Sequence, residues 1–164
     1  MTKIIFIGAT GTDIGKTYVT CRLLRQLKEQ GYKALAIKPV ISGFDESAVD
    51  QTDSGQILQA MGQPVTLEQA RLISPWRYKD PLPPHFAAAQ TGHPLNIDQL
   101  VDFCKNQSRQ DIDFLLIEGV GGIMVPLAPQ VTTLDLVAQL ACSCLIVTGS
   151  YLGTLSHTLT ALAC

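Results

Sequence analysis

A glycine-rich segment near the start of the chain has the residue types that bind phosphate. It reads GATGTDIGKT over residues 8–17, between an apolar run and a stretch with helical periodicity. Glycines let backbone N–H groups surround phosphate oxygens, and a helix N-terminus adds partial positive charge. Lys16 would reach the terminal phosphates, and the Thr17 hydroxyl would bind Mg²⁺. Thr10 replaces the first glycine of the strict motif, yet the strand–loop–helix context predicts nucleotide binding.

Two carboxylates are candidate ligands for the metal that accompanies a nucleotide. Glu118 follows the apolar run Phe114–Ile117 and begins the sequence EGVGG. A parallel sheet would place it at the edge that carries the phosphate loop. Mg²⁺ binds one or two carboxylates together with phosphate oxygens and water. Asp53, at the start of a predicted helix, is the second candidate. Each has a structural alternative, since Glu118 could cap a turn and Asp53 could be a helix N-cap.

A lysine and a hydroxyl follow the second predicted strand, in the sequence KPVISG over residues 38–43. Lys38 would bring a cation to the ligand-binding edge of the sheet, near developing negative charge, and Ser42 would add a hydroxyl. Alternatively, Lys38 is a solvated lysine at a strand exit. Residues 149–157, before the last helical pattern, offer free N–H groups that could hold an anionic group such as a carboxylate.

Short apolar runs alternate with longer helical patterns, which is typical of a parallel sheet with crossover helices. The predicted strands are Ile4–Ile7, Ala34–Ile37, Phe114–Ile117 and Leu145–Thr148. The predicted helices are residues 15–30, Asp53–Met61, Ile97–Asn106 and Leu134–Leu140, followed by a helical pattern over Thr154–Cys164. Prolines in Ser74–Pro84 predict an irregular but ordered loop. The sequence therefore predicts an α/β fold.

Composition limits the classes to which the chain can belong. Its 164 residues suit one domain, with a formal net charge of −2 and 46% apolar residues. This balance argues against nucleic acid or an anionic membrane as a partner, and no apolar run approaches the ~18 residues of a membrane span. Five cysteines without a CxxC pair predict buried, reduced thiols and a cytoplasmic protein. Because no strand follows the final helical pattern, we expect a C-terminally truncated chain.

Together these motifs resemble dethiobiotin synthetase, an ATP-dependent carboxylase of biotin synthesis. The resemblance covers essentially the whole chain in order. It rests on GTDIGKT over 11–17, KPV and SG within 38–43, Asp53, Pro81 with Pro84-His85, EGVGG over 118–122, and Leu152-Gly153 with His157. It implies a three-layer P-loop NTPase fold with a mostly parallel central sheet and helices on both faces, in a single domain over residues 1–164.

The resemblance also implies a reaction and its participants. The family's substrate is 7,8-diaminopelargonic acid, whose N7 amine captures CO₂ as a carbamate. ATP phosphorylates the carbamate, and the second amine closes the ring with loss of phosphate. ATP is then a co-substrate, Mg²⁺ a cofactor, and the enzyme a homodimer with its sites at the interface.

Site residues follow from the same resemblance, position by position. The implied catalytic residues are Lys38, Thr12, Ser42 and Lys16. The implied nucleotide-binding residues are Asp13, Ile14, Gly15, Lys16, Thr17, Tyr18, Glu118 and Gly121. The implied metal ligands are Thr17, Asp53 and Glu118. The implied substrate-binding residues are Ser42, Pro84, Gly119, Val120, Gly121, Leu152 and Gly153.

Two other functions fit the same fold class. The first is an ATP-driven switch of the partitioning type, which carries a lysine early in the phosphate loop, typically in Lys-Gly-Gly. Here the corresponding sequence is Ala9-Thr10-Gly11, without a lysine. The second is an inactive nucleotide-binding fragment with a regulatory or partner-binding role. ATP binding without carboxylation would distinguish it from the enzyme.

Overall fold

A computed structural model describes residues 2–92 and 94–164. Strands and helices alternate along much of the chain. In order, the elements are β1 (Lys3–Ala9), α1 (Lys16–Glu29), β2 (Ala34–Ile37), β3 (Val40–Ser42), a 3-10 helix (Val49–Gln51), α2 (Asp53–Met61), α3 (Leu67–Ile73), β4 (Trp76–Tyr78), α4 (Pro84–Thr91), α5 (Ile97–Gln107), β5 (Phe114–Glu118), β6 (Pro126–Ala128), β7 (Val131–Thr132), α6 (Thr133–Leu140), β8 (Ser143–Val147) and α7 (Thr154–Ala163).

The central sheet has four parallel strands in the order β2–β5–β1–β8. Its middle strands are apolar because both of their faces are covered, and Phe6, Ile7 and Leu116 are fully buried. Ile7 of β1 is in register with Glu118 of β5. The phosphate loop and Glu118 therefore leave neighbouring strands at the same edge of the sheet.

Helices flank this sheet, so the predicted α/β architecture with a mostly parallel sheet is confirmed. α1 packs against β1, β2, β5 and α2, and its inward-facing Leu24 is fully buried. α2 begins at a hydrogen-bonded N-cap, in which the Gly55 N–H donates to Thr52 Oγ1 over 3.1 Å. Gly55 itself lies directly on the 3-10 helix, where a Cβ would overlap the carbonyl oxygen of Val49.

All nine predicted strands and helices are present, and two of them lie at the predicted residues, β2 and α2. The strand predicted over Leu145–Thr148 begins two residues earlier, at Ser143. The prediction of an irregular loop over Ser74–Pro84 is wrong in part. Trp76–Tyr78 pairs in parallel with Val40–Ser42 as a second, small sheet, and α4 begins at Pro84. These strands have three residues each, too few for a periodic pattern to be visible in the sequence.

The cysteines are all free, but their burial varies. The prediction of buried thiols is confirmed for Cys21 and Cys104 and is wrong for Cys144 and Cys164, which are exposed. Cys144 is exposed because it lies on β8, an edge strand of the sheet. Cys164 is exposed because it follows α7, a helix with no buried residue. Among residues 2–92 and 94–164, no helix is long and apolar enough to cross a membrane.

The last helix, α7, contributes no buried residue to the core. Leucines at positions 152, 155, 159 and 162 are exposed by two thirds or more, and Leu152 is fully exposed. The last three lie at helical spacings of four and three residues, so they form one apolar stripe. We call these three residues, together with Leu152 just before α7, the leucine stripe.

Candidate active site

The phosphate loop connects β1 to α1 and has the backbone shape its sequence predicts. Asp13 and Gly15 both have positive φ angles, of 56° and 103°, and Gly15 caps the N-terminus of α1. The left-handed conformation favours glycine, and it turns the chain directly into the helix. The Lys16 ammonium lies inside this loop and donates to the Gly11 carbonyl oxygen over 3.0 Å. The loop therefore surrounds the position at which phosphate would bind.

Lys38 directly follows β2 and is buried, with 3% of its surface exposed. Its Nζ is 2.7 Å from Asp53 Oδ2 and 2.7 Å from Glu118 Oε1. The Thr17 hydroxyl donates to the same Glu118 oxygen over 2.7 Å. The alternative of a solvated lysine at a strand exit is therefore wrong. A cation, two carboxylates and a hydroxyl from four separate elements meet at one point.

The charges of this cluster perturb one another. Burial alone would lower the pKa of Lys38, but the carboxylates of Glu118 and Asp53 outweigh it and raise that pKa. Burial would raise the pKa of Asp53, but the Lys38 charge and its hydrogen bond hold it below the usual value. Burial and the nearby Lys38 charge lower the pKa of Lys16. Lys38 and Asp53 are thus a charged pair at neutral pH.

The lowered pKa of Asp53 predicts a pH-dependent stability. Such a carboxylate stabilises the fold above its unfolded pKa of 3.8, and the contribution is lost as pH falls through the lower folded pKa. We expect Asp53→Asn to reduce the free energy of unfolding at neutral pH, and its difference from the unchanged chain to shrink as pH falls below 3.8. Urea unfolding across this range is the measurement, with Asp102→Asn on the exposed face of α5 as the matched control. A constant difference would contradict the prediction.

A cleft of about 450 Å³ opens beside the cluster. It is lined by most of the residues predicted for the site, namely Thr12, Asp13, Gly15, Lys16, Thr17, Lys38, Ser42, Asp53, Pro84, Val120 and Gly121. The Ser42 hydroxyl is buried with no partner among the described residues. A buried polar group without a partner is unfavourable, so this hydroxyl is available to a bound ligand.

Other predicted residues lie away from the cleft wall. Glu118 is almost fully buried behind Thr17 and Lys38. Gly119 is also buried, and a Cβ there would lie 2.8 Å from the Phe6 ring. Tyr18 is 69% exposed, on the outer surface of α1.

The loop between β8 and α7 lies beside the phosphate loop rather than in the cleft. A Cβ built at Gly149 would be 3.6 Å from the Ile14 side chain. Leu152 and Gly153, which follow in this loop, do not line the cleft of the single chain. Tyr151 contacts α7 through a hydrogen bond of 2.9 Å to His157 Nδ1.

Sequence reasoning missed an apolar part of the cleft wall. It consists of Ile41, Leu82, Pro83 and Val125. Two of them come from the proline-containing segment between β4 and α4, and Ile41 comes from the short strand β3. The proline-rich composition was the available signal, because it indicated an ordered loop in this part of the chain.

The donor set suits a hard cation such as Mg²⁺. Its atoms are carboxylate and hydroxyl oxygens, and Thr17 directs its proton to Glu118, which leaves the oxygen lone pairs free. Glu118 Oε2 is buried with no partner in the described part of the chain. Residues 2–92 and 94–164 contain no cluster of three or more His, Cys, Asp or Glu that could hold a metal by itself. A cation here would therefore also need oxygens from a ligand or water.

Comparisons with known proteins agree with this geometry. A family model described as an AAA domain matches residues 3–164. The chain is 46% identical over 158 residues to the ATP-dependent dethiobiotin synthetase BioD of Phenylobacterium zucineum, covering 96% of this chain and 68% of that protein. The same-named protein of Caulobacter vibrioides is 44% identical over 161 residues, covering 98% and 72%. That of Legionella pneumophila strain Paris is 36% identical, covering 96% and 71%.

Among solved structures, the signal recognition particle receptor FtsY of Elizabethkingia anophelis is similar, with a TM-score of 0.53 and 16% identity. The match covers 99% of this chain and 47% of that one. At this level of identity the likeness shows a shared fold alone.

Proposed function

Because the chain belongs to the family of ATP-dependent dethiobiotin synthetases, we propose that its cleft carries out that family's ligase reaction. ATP and CO₂ convert 7,8-diaminopelargonic acid into dethiobiotin, ADP and phosphate. The observation that carries the proposal is the pair of buried lysines, Lys16 and Lys38, on the wall of one cleft beside a phosphate loop. Buried ammonium groups in this position suit a reaction that moves a phosphoryl group.

The residues of the loop would bind the nucleotide phosphates. Among the described residues the Lys16 ammonium donates only to the Gly11 carbonyl oxygen, so it has donors left for phosphate oxygens. Backbone N–H groups at the start of α1 add to this binding. Asp13, Ile14, Gly15 and Tyr18 are proposed to contact the rest of the nucleotide.

Phosphoryl transfer needs positioning and charge stabilisation more than a protein nucleophile. We assign Lys38 to the oxygens of the transferred phosphoryl group, with Thr12 and Ser42 around the carbamate that accepts it. The carbamate forms on the N7 amine, and its phosphorylation gives a carbamic–phosphoric anhydride. The second amine then attacks the anhydride carbonyl, and phosphate leaves as the ring closes.

Thr17, Asp53 and Glu118 are proposed to hold Mg²⁺ together with nucleotide oxygens. When bound, the ion would supply neutralising charge to the phosphates. The oxygen donors of these side chains support the assignment. Their own roles are to bind and to orient, since Thr17 is fixed by its hydrogen bond to Glu118.

The substrate carries a hydrocarbon chain, and the apolar cleft wall is suited to it. Ile41, Leu82 and Val125 would pack against this chain, beside Pro84, Val120 and Gly121. Gly119 would act through the backbone shape of its loop, because it is buried. The site thus combines a polar end for transfer with an apolar end for the substrate.

We propose a homodimer in which the partner subunit's Leu152 and the partner subunit's Gly153 hold the substrate carboxylate. The exposed leucine stripe supports an interface, because exposed apolar residues in a row indicate a covered surface. Leu152 and Gly153 do not line the cleft of their own chain. A second copy would supply them.

The stripe gives a prediction about assembly. We expect the double substitution Leu155→Asp and Leu159→Asp to shift the chain from dimer to monomer, because buried carboxylates without partners oppose association. Light scattering after size-exclusion chromatography measures the mass. Leu72→Asp, at a leucine that is 59% exposed on α3, is the matched control and should leave a dimer. A dimer that survives the double substitution would contradict the interface.

We also propose that residues 1–164 form a single ATP-binding domain and that the reaction takes place in the cytoplasm. One central sheet and one extensive buried cluster support the single domain. Free cysteines support a compartment that keeps thiols reduced.

The direct test is dethiobiotin formation from 7,8-diaminopelargonic acid, bicarbonate and Mg-ATP, followed by mass spectrometry. We expect product that requires ATP and that carries label from ¹³C-bicarbonate in the ureido carbonyl. ATP hydrolysis without product would instead favour the switch, and nucleotide binding with neither would favour the inactive fragment.

A further inference from the structure

Asp53 and Glu118, the carboxylates that would bind the metal, are both paired with the ammonium of Lys38. Lys38 Nζ lies 2.7 Å from Asp53 Oδ2 and 2.7 Å from Glu118 Oε1. The lysine and glutamate side chains are 4% and 0% exposed, whereas that of Asp53 is 39% exposed. The ammonium therefore lies between one carboxylate on the cleft wall and another behind it.

A divalent cation would compete with this ammonium for the two carboxylate oxygens that it contacts. Mg²⁺ needs its oxygen ligands at about 2.0–2.1 Å, in the space that Lys38 Nζ fills. Lys38 lines the cleft and Glu118 does not, so an ion entering from the cleft meets the ammonium first. The Mg²⁺ ion and the Lys38 ammonium would also repel each other if both lay within contact distance of the same carboxylate oxygens.

We propose that Lys38 is a placeholder for the divalent cation, which it keeps out until a nucleotide is bound. This inference rests on the proposed function, since it takes Asp53 and Glu118 to be the metal ligands. Without a bound metal, the ammonium offsets part of the negative charge of the two carboxylates. When the metal arrives with nucleotide phosphates, the ammonium leaves the carboxylates for the anionic phosphates, across a cleft wall it already shares with Lys16.

The exchange has two consequences for the reaction. Metal without nucleotide binds poorly, because the displaced ammonium has no anion to move to and Lys16 adds a second positive charge. Metal with nucleotide releases Lys38 toward the phosphoryl group. The lysine is thereby made available for transfer only after the carboxylates have their ion.

The first test measures Mn²⁺ binding without nucleotide, by electron paramagnetic resonance of the free ion. Lys38→Met keeps an unbranched side chain and removes the ammonium. We expect its Mn²⁺ dissociation constant to fall at least about tenfold, the scale on which like charges oppose binding. Lys16→Met is the matched control: it removes a buried ammonium that donates to Gly11 rather than to the carboxylates, so it should tighten Mn²⁺ binding less than Lys38→Met does. An unchanged constant for Lys38→Met, or equal tightening in both variants, would overturn the proposal.

The second test uses the unchanged chain, in case Lys38→Met folds poorly. ¹⁵N-lysine labelling lets NMR follow the ammonium signals, and a Lys38→Arg sample identifies the Lys38 signal. We expect the Lys38 ammonium protons to be protected from exchange with solvent in the ligand-free protein. This protection should persist when Mg²⁺ is added alone. It should shift on addition of Mg²⁺ together with a non-hydrolysable ATP analogue. A signal that does not respond would overturn the placeholder.

A companion measurement separates this failure from failure of the metal assignment. Asp53→Asn and Glu118→Gln should both weaken Mn²⁺ binding in the presence of the ATP analogue. If neither does, the metal ligands under the proposed function are wrong, and the placeholder falls with them. If both do but the Lys38 signal is static, the ligands are supported and the placeholder alone is wrong.

Discussion

Replacing Lys16 by alanine is expected to reduce dethiobiotin formation by about a thousandfold, the upper range for loss of one buried donor to a charged group. The lysine is buried in the phosphate loop, and within the described residues its ammonium donates only to the Gly11 carbonyl oxygen, so it has donors left for a ligand in the cleft. Mg-ATP affinity should fall as well, as calorimetry would measure. Thermal unfolding should remain cooperative because α1 is capped by Gly15.

Lys105→Ala is the matched control for this substitution. Lys105 is exposed on α5, away from the cleft, and its loss removes the same formal charge. We expect unchanged turnover and ATP affinity in this variant. Full ATP-dependent activity in Lys16→Ala would contradict the role of the phosphate loop.

Lys38→Ala is expected to have a comparable effect through a different step. Turnover should fall by about a thousandfold, the lower range for a cation that stabilises phosphoryl transfer. Mg-ATP should still bind, since Lys16 and the loop N–H groups are retained. Rapid-quench measurement of phosphate transfer to the carbamate separates this step from nucleotide binding.

This substitution also affects the fold. Removing one partner of a buried ion pair destabilises a protein by about 3–5 kcal/mol, and Glu118 would lose the ammonium that now contacts it. The free energy of unfolding should therefore be measured first, and activity compared at a temperature where both chains are folded. Turnover equal to that of the unchanged chain would mean that Lys38 has a structural role alone.

The positions of Lys16, Lys38 and Glu118 could be predicted because each follows a recognisable apolar strand. Parallel strands bring their carboxyl ends to one edge, so three residues far apart in sequence are expected to meet. Their hydrogen bonds could not be predicted. Glu118 faces Lys38 and Thr17 rather than the cleft. This orientation depends on how deeply β5 is buried between its neighbouring strands, β2 and β1.

The apolar part of the cleft wall could not be predicted from the sequence for a different reason. β3 and β4 have three residues each, and their pairing joins segments more than thirty residues apart. Only the packed chain shows that Ile41 and Leu82 line the same cleft. Leu152 and Gly153 do not line the cleft of the single chain, so their predicted role stays a prediction.

The contact between Gly55 and the Val49 carbonyl limits which substitutions this sequence can tolerate. Position 55 admits no side chain unless the backbone beneath it moves, and Asp53 is two residues away on the same helix. Of the apolar cleft residues, Ile41 is also buried in the core, whereas Leu82 and Val125 are half-buried on the cleft wall. A mutational library aimed at new substrates can therefore vary Leu82 and Val125, whereas almost every change at position 55 would be lost from it because the fold would be disrupted.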